Sequence, residues 1–596
     1  MSQYVAPIKD MLFAMNELAG LQDITRLPGN EEVSNDLVEA ILDEAAKFAN
    51  QVVDPLNRVG DKQGNKWDNG VVTTADGFKE AYATFCETGW NGMPASTEFG
   101  GQGLPVTVST AVLEMWKSAS ISFSLCQMLT LGAVEAIAHH GSDELKATYL
   151  PNMVSGKWTG TMNLTEPQAG SDLAAIRSKA EPRGDGTYAI TGTKIFITWG
   201  EHDMAENIVH LVLARLPDAP PGVKGISLFI APKFLVNADG SLGERNDLIC
   251  SSIEHKMGIH GSATAVMSFG DKGGAIGYLV GEANRGLEYM FTMMNHARLN
   301  VGLEGVGVSE RSYQHALAYA RERIQGKIIG DKSGEKKPIL HHPDVRRMLM
   351  DMKSRTEAGR AIAYYVAGCM DRAKSSADAD VRRENQSRLE LLTPVVKGWC
   401  TENAQGITWN GVQVHGGMGF IEETGAAQYM RDARIVTIYE GTTAIQANDL
   451  IGRKTAKEGG KSMQKLLADI AETRASLDKS GNPTLTALAD SLGDGMAALD
   501  EATTWLLANY DANPQAAAAG SVPFLKLTGI VVGGWLMARS AQIAASRTGE
   551  ADGGFYKAKL ATASYFAQHV IPEANSYRDA IVGGSASVLA LEEALF

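Results

Sequence analysis

The 596-residue chain has little cysteine and no arrangement that would put it to use. Its five cysteines, Cys86, Cys126, Cys250, Cys369 and Cys400, are scattered, with neither a CxxC pair nor histidines at ligand spacing. That excludes a disulfide framework, speaks against a metal site, and suits a reducing compartment. Positive charge is also short: 55 Lys and Arg face 69 Asp and Glu, for a net charge of −14. A non-specific nucleic-acid binder needs the opposite balance. Near the start, Asp10 and Glu17 interrupt the apolar residues and no basic segment precedes them, so no secretory signal is expected. The longest membrane-like run, residues 527–538 between Lys526 and Arg539, is too short to cross a bilayer and reads as a buried helix. The expectation is a soluble, cytoplasmic protein with no membrane or nucleic-acid partner. A dinucleotide fingerprint is missing too. Gly302-Leu303-Glu304-Gly305-Val306-Gly307 lacks the spacing and the preceding strand, and reads as close helix packing. Internal repeats and low-complexity segments are absent.

What is present is an ordinary globular composition, 44% hydrophobic and 21% charged, on a chain long enough for two to four domains. Residues 36–53 carry Leu37, Ile41, Leu42, Ala45 and Phe48 at helical spacing, and residues 106–140 read as a long apolar helical region. Between them Pro94-Ala95-Ser96-Thr97-Glu98-Phe99-Gly100-Gly101-Gln102-Gly103 has the composition of a loop. From Thr159 the texture turns to short strands. Tyr188-Ala189-Ile190 and Lys194-Ile195-Phe196-Ile197 flank Thr191-Gly192-Thr193 as a hairpin would, and strands follow at 208–214, 226–231 and 265–269. Helical periodicity resumes at Gly286 and runs to about Ile451; residues 454–461 read as a boundary loop. Beyond it Leu485, Leu488, Leu492, Leu499 and Leu506 mark a last helical unit with a packing role. The expected domains are a helical extension (1–35), a helical domain (36–158), a β-domain (159–282), a helical bundle (283–455) and a further helical domain (456–596).

The chemistry centres on Ile438-Tyr439-Glu440-Gly441-Thr442-Thr443. A carboxylate between an aromatic ring and a glycine is partly desolvated, which raises its pKa toward the range a proton-abstracting base needs. The alternative is a solvated loop glutamate. Some 270 residues earlier stands Leu164-Thr165-Glu166-Pro167-Gln168-Ala169-Gly170-Ser171-Asp172. In this order and separation the two segments resemble the acyl-CoA dehydrogenase family, with its T-E-P-x-A-G-S-D strand-loop and its Y-E-G-T loop bearing the catalytic base. The Pro94–Gly103 segment resembles the family's P-x-x-x-E-x-G-G-x-G.

The resemblance covers essentially the whole chain, in the large bacterial branch. It implies a mainly α fold with a central β-domain: helical domain, β-barrel-like domain, helical bundle, and an extra C-terminal helical domain. It also implies FAD, lying between the β-domain and the later helices. Thr165 matches a flavin-bonding threonine, with Met162 and Leu164 as backbone or apolar contacts. Thr198 matches the threonine beside flavin N5, and Phe196 stands where many relatives have tryptophan. Arg323 and Gln325 match a diphosphate-contacting turn that is here one residue shorter. Gln413, Gly416 and Gly417 belong to a Q-x-x-G-G-x-G segment that reaches the cofactor of a neighbouring subunit. Thr442 matches a further FAD contact, whereas Ala444 replaces a glutamine common in relatives. On the substrate side the resemblance points to Ser171, Asn295, Arg298, Tyr439 and Gly441. Some relatives carry their base at the position of Ala297, which leaves Glu440 for that role here.

The implied reaction is α,β-dehydrogenation of an acyl-CoA thioester, with electron-transfer flavoprotein as electron acceptor. The whole-chain resemblance implies 3-methylmercaptopropionyl-CoA as substrate and methylthioacryloyl-CoA as product, a step of dimethylsulfoniopropionate demethylation; short- or medium-chain fatty acyl-CoA is the runner-up. An acyl-CoA oxidase would share the base. The DNA-binding flavoproteins of the same fold carry a basic C-terminal domain, whereas residues 466–596 are rich in acidic residues without a basic run. A homo-oligomer is implied, a dimer rather than the common tetramer, because the extra domain can cover the stacking surface.

Overall fold

The computed structural model describes residues 2–596, Thr292 by its backbone only. In chain order the helices used below are α1 (Ile8–Phe13), α2 (Val106–Ala119) and α3 (Ile121–His140), followed after the strands by α4 (Gly286–Glu322), α5 (Pro343–Ser375) and α6 (Ala379–His415). Then come α7 (Thr443–Ile451), α8 (Lys461–Asp478), α9 (Pro483–Asn509), α10 (Ser521–Arg547), α11 (Gly553–His569) and α12 (Glu573–Gly583). The strands are β1 (Trp158–Asn163), β2 (Lys179–Pro182), β3 (Tyr188–Thr198), β4 (Asn207–Ala214), β5 (Ser227–Pro232), β6 (Leu248–Ile253), β7 (Thr264–Phe269) and β8 (Ala275–Leu279). The apolar region 106–140 is two helices, because Ser120 is extended and its hydroxyl caps α3 by accepting from Phe123 N–H.

Two compact units result. One comprises Lys47–Leu104 and Ala119–Ala297; the other gathers the chain up to Ala46, Pro105–Ser118 and Arg298–Phe596. The long helix α4 contributes its first turns to the former and the remainder to the latter.

In the first unit the sheet runs in the order β6-β7-β3-β8-β5-β4-β1, with β2 on β3, and only the β1–β4 pair is parallel. β4 and β5 are buried at every residue, which explains sequences that are apolar apart from Asn207, His210 and Ser227. The core beneath the sheet takes Val134, Ile137 and Leu150 from the helices and Leu211, Leu228 and Ile230 from the strands. One expectation is overturned. Tyr188-Ala189-Ile190 and Lys194–Ile197 are not the arms of a hairpin but one continuous strand, β3. The glycine that suggested a turn, Gly192, takes φ +145° and bends the strand without reversing it; a methyl group there would lie 2.3 Å from Ser178 Oγ. The first half of β3 pairs with β2 and β8, the second with β7.

The second unit is helical. Gly302 and Gly305 on α4 face α6 so closely that a methyl group would sit 2.5 Å from Val396 Cγ1 or 2.7 Å from Cys400 O, and one on Gly307 would sit 2.9 Å from Ser118 N. The glycine-rich run is therefore a packing device, as its sequence suggests. A buried arginine ties four helices together: Arg360 on α5 pairs with Asp10 of α1 (2.6 Å), Glu114 of α2 (2.6 Å) and Glu310 of α4 (2.8 Å). Tyr364 adds a hydrogen bond to Glu114 (2.8 Å), and Lys559 of α11 bonds Asp10 and Glu357. Helices α3 and α10 are long and apolar enough to cross a membrane, yet 78% and 83% of their apolar windows are buried within the fold. Residues 527–538 form the middle of α10.

Candidate active site

Two groups of the expected residues are built locally, one in each unit. The first lies where β1 runs out. Ile195 N–H donates to Thr165 O (2.9 Å), and the Lys194 ammonium donates to Leu164 O (3.1 Å) and to Glu166 (2.8 Å). Glu166 also accepts from Arg177 N–H (2.6 Å) and Ser178 N–H (3.0 Å). Burial works to raise the Glu166 carboxyl, but Lys194 and these hydrogen bonds hold it down at about 2. Burial also pushes Lys194 down to about 8 against the pull of Glu166. The Glu166–Lys194 pair thus staples the Thr165 loop to the strand that bears Phe196 and Thr198.

On that strand a register shift opposite Ala265 and Met267 forms a bulge. There Phe196 adopts φ +59° and stands 59% exposed, an uncommon state for an aromatic side chain. Trp199 is also left-handed, at φ +53°, but buried, with its indole N–H on Ser122 O at 3.1 Å. Between them, Thr198 has a half-buried hydroxyl. Neither it nor Thr165 has a hydrogen-bond partner for its hydroxyl among the described residues. Two idle hydroxyls and an uncovered aromatic ring at adjacent strand ends fit the polar edge of a flavin ring. Met162 and Leu164 are half-buried on the same segment. Ser171 is exposed past the loop, and Asn295 lies half-buried on α4.

The second group is the loop before α7. Glu440 and Gly441 are consecutive left-handed residues, at φ +53° and +84°. For a glutamate that conformation costs about 1–3 kcal/mol and persists only where the surroundings impose it. The surroundings do so from three sides. Lys397 on α6 donates to Gly441 O (2.7 Å), Gln446 donates to Glu440 O (3.1 Å) and Gly441 O (3.2 Å), and the Tyr439 phenol donates to Glu304 in a very short contact. Thr442 caps α7 through Ile445 N–H, and Thr443 Oγ1 donates to Glu402 (2.7 Å). Burial raises the Glu440 carboxyl above the ordinary range, against Lys397 and Arg298, and Glu304 raises it further. Burial also lowers Lys397 to about 8 despite Glu440 and Glu304. The carboxyl is therefore poised toward proton transfer rather than permanent charge.

Arg298 joins this group in an ion pair with Asp449 at 2.8 Å, while its buried Nε has no partner among the described residues. Asp449 also pairs with Arg453 (2.7 Å). The other expected residues lie apart from the loop's hydrogen bonds. Arg323 and Gln325 are exposed in the segment after α4. Gln413, Gly416 and Gly417 are exposed where α6 ends; Gly416 is at φ +61°, and a methyl group on either glycine would meet nothing within 4 Å. Gly416 alone joins α6 to the short helix Gly417–Phe420, so the two glycines make a tight helix-to-helix turn whose outer side is open. Exposed Trp409, Met418, Phe420 and Ile421 surround them in sequence.

Lys194, Lys397, Glu304 and Gln446 were not among the expected residues. The only signal for Glu304 and Lys397 is a single charge inside an otherwise apolar helical stretch (Leu303-Glu304-Gly305 and Val395-Val396-Lys397-Gly398-Trp399).

Models of the acyl-CoA dehydrogenase N-terminal, middle and C-terminal domains match residues 35–157, 161–271 and 284–454, and an acetyl-CoA dehydrogenase C-terminal-like model matches 463–592. The chain belongs to the acyl-CoA dehydrogenase family. It is 48% identical to a 3-methylmercaptopropionyl-CoA dehydrogenase of Ruegeria pomeroyi, over 98% of this chain and 99% of that one. It is 37% identical to a butyryl-CoA dehydrogenase of Syntrophomonas wolfei, over 96% and 95% of the two chains. The solved acyl-CoA dehydrogenase of Bacillus anthracis, complexed with FAD, shares the fold at a TM-score of 0.74 and 22% identity, over 96% of this chain and 91% of that one.

The Glu166–Lys194 staple gives a signed expectation. A carboxyl held at about 2 in the folded state, against an ordinary value near 4.3, stabilises the fold above about pH 4.3 and loses that contribution as pH falls toward 2. The urea midpoint should fall across that window. Glu166→Gln should flatten the slope and, by leaving Lys194 buried and unpaired, cost about 3–5 kcal/mol at neutral pH. A variant that keeps the wild-type slope would remove the staple from the account.

Proposed function

We propose that the chain is an FAD-dependent dehydrogenase of a short acyl-CoA thioester, with Glu440 as the base that removes the α-proton. The observation that carries this reading is the Glu440 carboxyl, partly desolvated and held in a left-handed turn by hydrogen bonds on both sides. A free carboxylate is too weak a base for an α-proton; a raised pKa closes part of the gap. The rest requires stabilisation of charge developing on the thioester oxygen. The backbone N–H of Glu440 donates to no acceptor among the described residues, and in this reading it supplies one donor of the oxyanion site. Tyr439 and Gly441 then border the thioester, and Ser171, Asn295 and Arg298 the rest of the acyl-CoA. FAD, when bound, supplies the acceptor for the hydride that leaves the β-carbon. Thr165 and Thr198 would hold its ring through their idle hydroxyls, with Phe196, Met162 and Leu164 against it. Arg323, Gln325 and Thr442, together with Gln413, Gly416 and Gly417 at the open end of α6, would hold the remainder. Electron-transfer flavoprotein is the proposed acceptor of the electrons. The five free cysteines suit a reducing, cytoplasmic location.

For the acyl group we favour 3-methylmercaptopropionyl-CoA, supported by 48% identity along nearly the full length of an enzyme of that name. Butyryl-CoA is the second reading, favoured by the 37% identical relative. A homodimer is proposed because Trp409, Met418, Phe420 and Ile421 leave apolar surface beside the Gln413–Gly417 turn.

Three measurements bear on these proposals. Glu440→Gln should retain its flavin yet lose turnover by about 10²–10⁴-fold; a flavin-loaded variant with more than roughly a tenth of wild-type kcat would dismiss Glu440 as the base. With a dye acceptor, kcat/KM should be greatest for the methylmercapto substrate, with butyryl-CoA within about 10–200-fold, since one apolar group discriminates by only ~1–3 kcal/mol. A preference for palmitoyl-CoA would make the chain a long-chain enzyme instead. Finally, Phe420→Asp should yield monomers in sedimentation that have lost flavin. Monomers with stoichiometric FAD would contradict cofactor binding across a dimer.

A further inference from the structure

The loop that bears Glu440 is gripped on either side of that residue by charges of opposite sign from different helices. Before it, Tyr439 donates its phenol proton to Glu304 of α4, a carboxylate with no solvent exposure whose nearest cation is Lys117 of α2 at 3.4 Å. After it, the Gly441 carbonyl accepts from the buried Lys397 of α6 at 2.7 Å. Lys397 has no carboxylate within ion-pair distance among the described residues, so its ammonium is committed to the loop. The remaining charge that acts on Glu440 is offset: Arg298 of α4 is paired with Asp449 of α7. Glu402 of α6, which acts on Lys397, is paired with Lys526 of α10 at 3.2 Å.

We propose that Glu304 and Lys397 are a matched pair of positioning residues for Glu440, fixing its turn from both ends and facing it with charges of opposite sign. The inference rests on the reading of Glu440 as the base, but both its parts follow from placement. The turn needs its flanking groups anchored, because a left-handed glutamate reverts to ordinary backbone angles when released. Glu304 anchors the Tyr439 ring, which would border the thioester, and Lys397 anchors the carbonyl that follows the base. The sign follows from Coulomb's law in a poorly hydrated site: a fixed anion resists a second negative charge nearby, and a fixed cation favours it. The Lys397 ammonium accordingly favours the ionised Glu440 carboxyl, and the Glu304 carboxylate disfavours it.

The test follows the Glu440 proton directly, without turnover. Infrared difference titration of the flavin-loaded enzyme reads the Glu440 carboxyl band, assigned by its loss in Glu440→Gln. The midpoint should move down in Glu304→Gln and up in Lys397→Met, each by at least about half a pH unit, a roughly threefold change in proton affinity. Lys397→Arg should keep the wild-type midpoint, since the charge remains. The acid limb of kcat/KM should follow the same shifts, with kcat lowered in Glu304→Gln and Lys397→Met. Midpoints that stay put, or that move in the same direction, overturn the proposal whatever happens to kcat. Should Glu304→Gln not fold, the contrast between Lys397→Met and Lys397→Arg decides alone. A failure here leaves the role of Glu440 itself to the loss of turnover in Glu440→Gln.

Discussion

One buried cation sets the frame of the helical unit. Arg360 satisfies three carboxylates on three other helices, and without it Asp10, Glu114 and Glu310 would be left as buried anions without that partner. A salt-bridge cluster of this kind contributes little net stability over an apolar core of equal volume, but breaking it is costly. Its geometric consequence is register. Helix α2 carries Glu114 of this cluster and also Lys117, which faces Glu304; helix α4 carries Glu310 and also Glu304 itself. The charges that meet the Tyr439–Glu440–Gly441 loop are thus mounted on helices whose relative slide is already fixed elsewhere. The close approach at Gly302 and Gly305 completes the arrangement, since it brings Val396 and Cys400 of α6 against α4 and with them Lys397.

Backbone strain is distributed unevenly. Among the described residues six non-glycine residues have positive φ, and three of them, Phe196, Trp199 and Glu440, fall in the two candidate-site segments. Each is held by a different device: a bulge in β3 for Phe196, a buried indole hydrogen bond for Trp199, and flanking anchors of opposite charge for Glu440. Strain of this sort survives only where neighbouring contacts over-determine it.

Much of this could be read from residue order alone. β4 and β5 were legible because a strand buried on both faces leaves a mostly apolar run, here broken only by His210 inside β4. The glycines at 302, 305 and 307 were legible as packing because the spacing suits no phosphate loop. The Thr191-Gly192-Thr193 segment misled because glycine marks a bend as readily as a reversal; which one occurs depends on partner strands distant in sequence. Arg298 was singled out only by resemblance, and its partner Asp449 lies 151 residues away where no local pattern names it. Lys397 and Glu304 were illegible for the same reason. A lone charge in an apolar helix announces that something must compensate it, but not what.

The left-handed turn at Glu440 has a consequence for how such a chain can change. Glycine or asparagine would suit that backbone better than glutamate, and either would relax the strain at this position. Either would also remove the carboxylate. Selection for a sturdier fold and selection for proton abstraction therefore pull this one codon in opposite directions. Consensus-free stabilisation that scores only the backbone would rewrite it first and leave a better-folded protein with nothing to do.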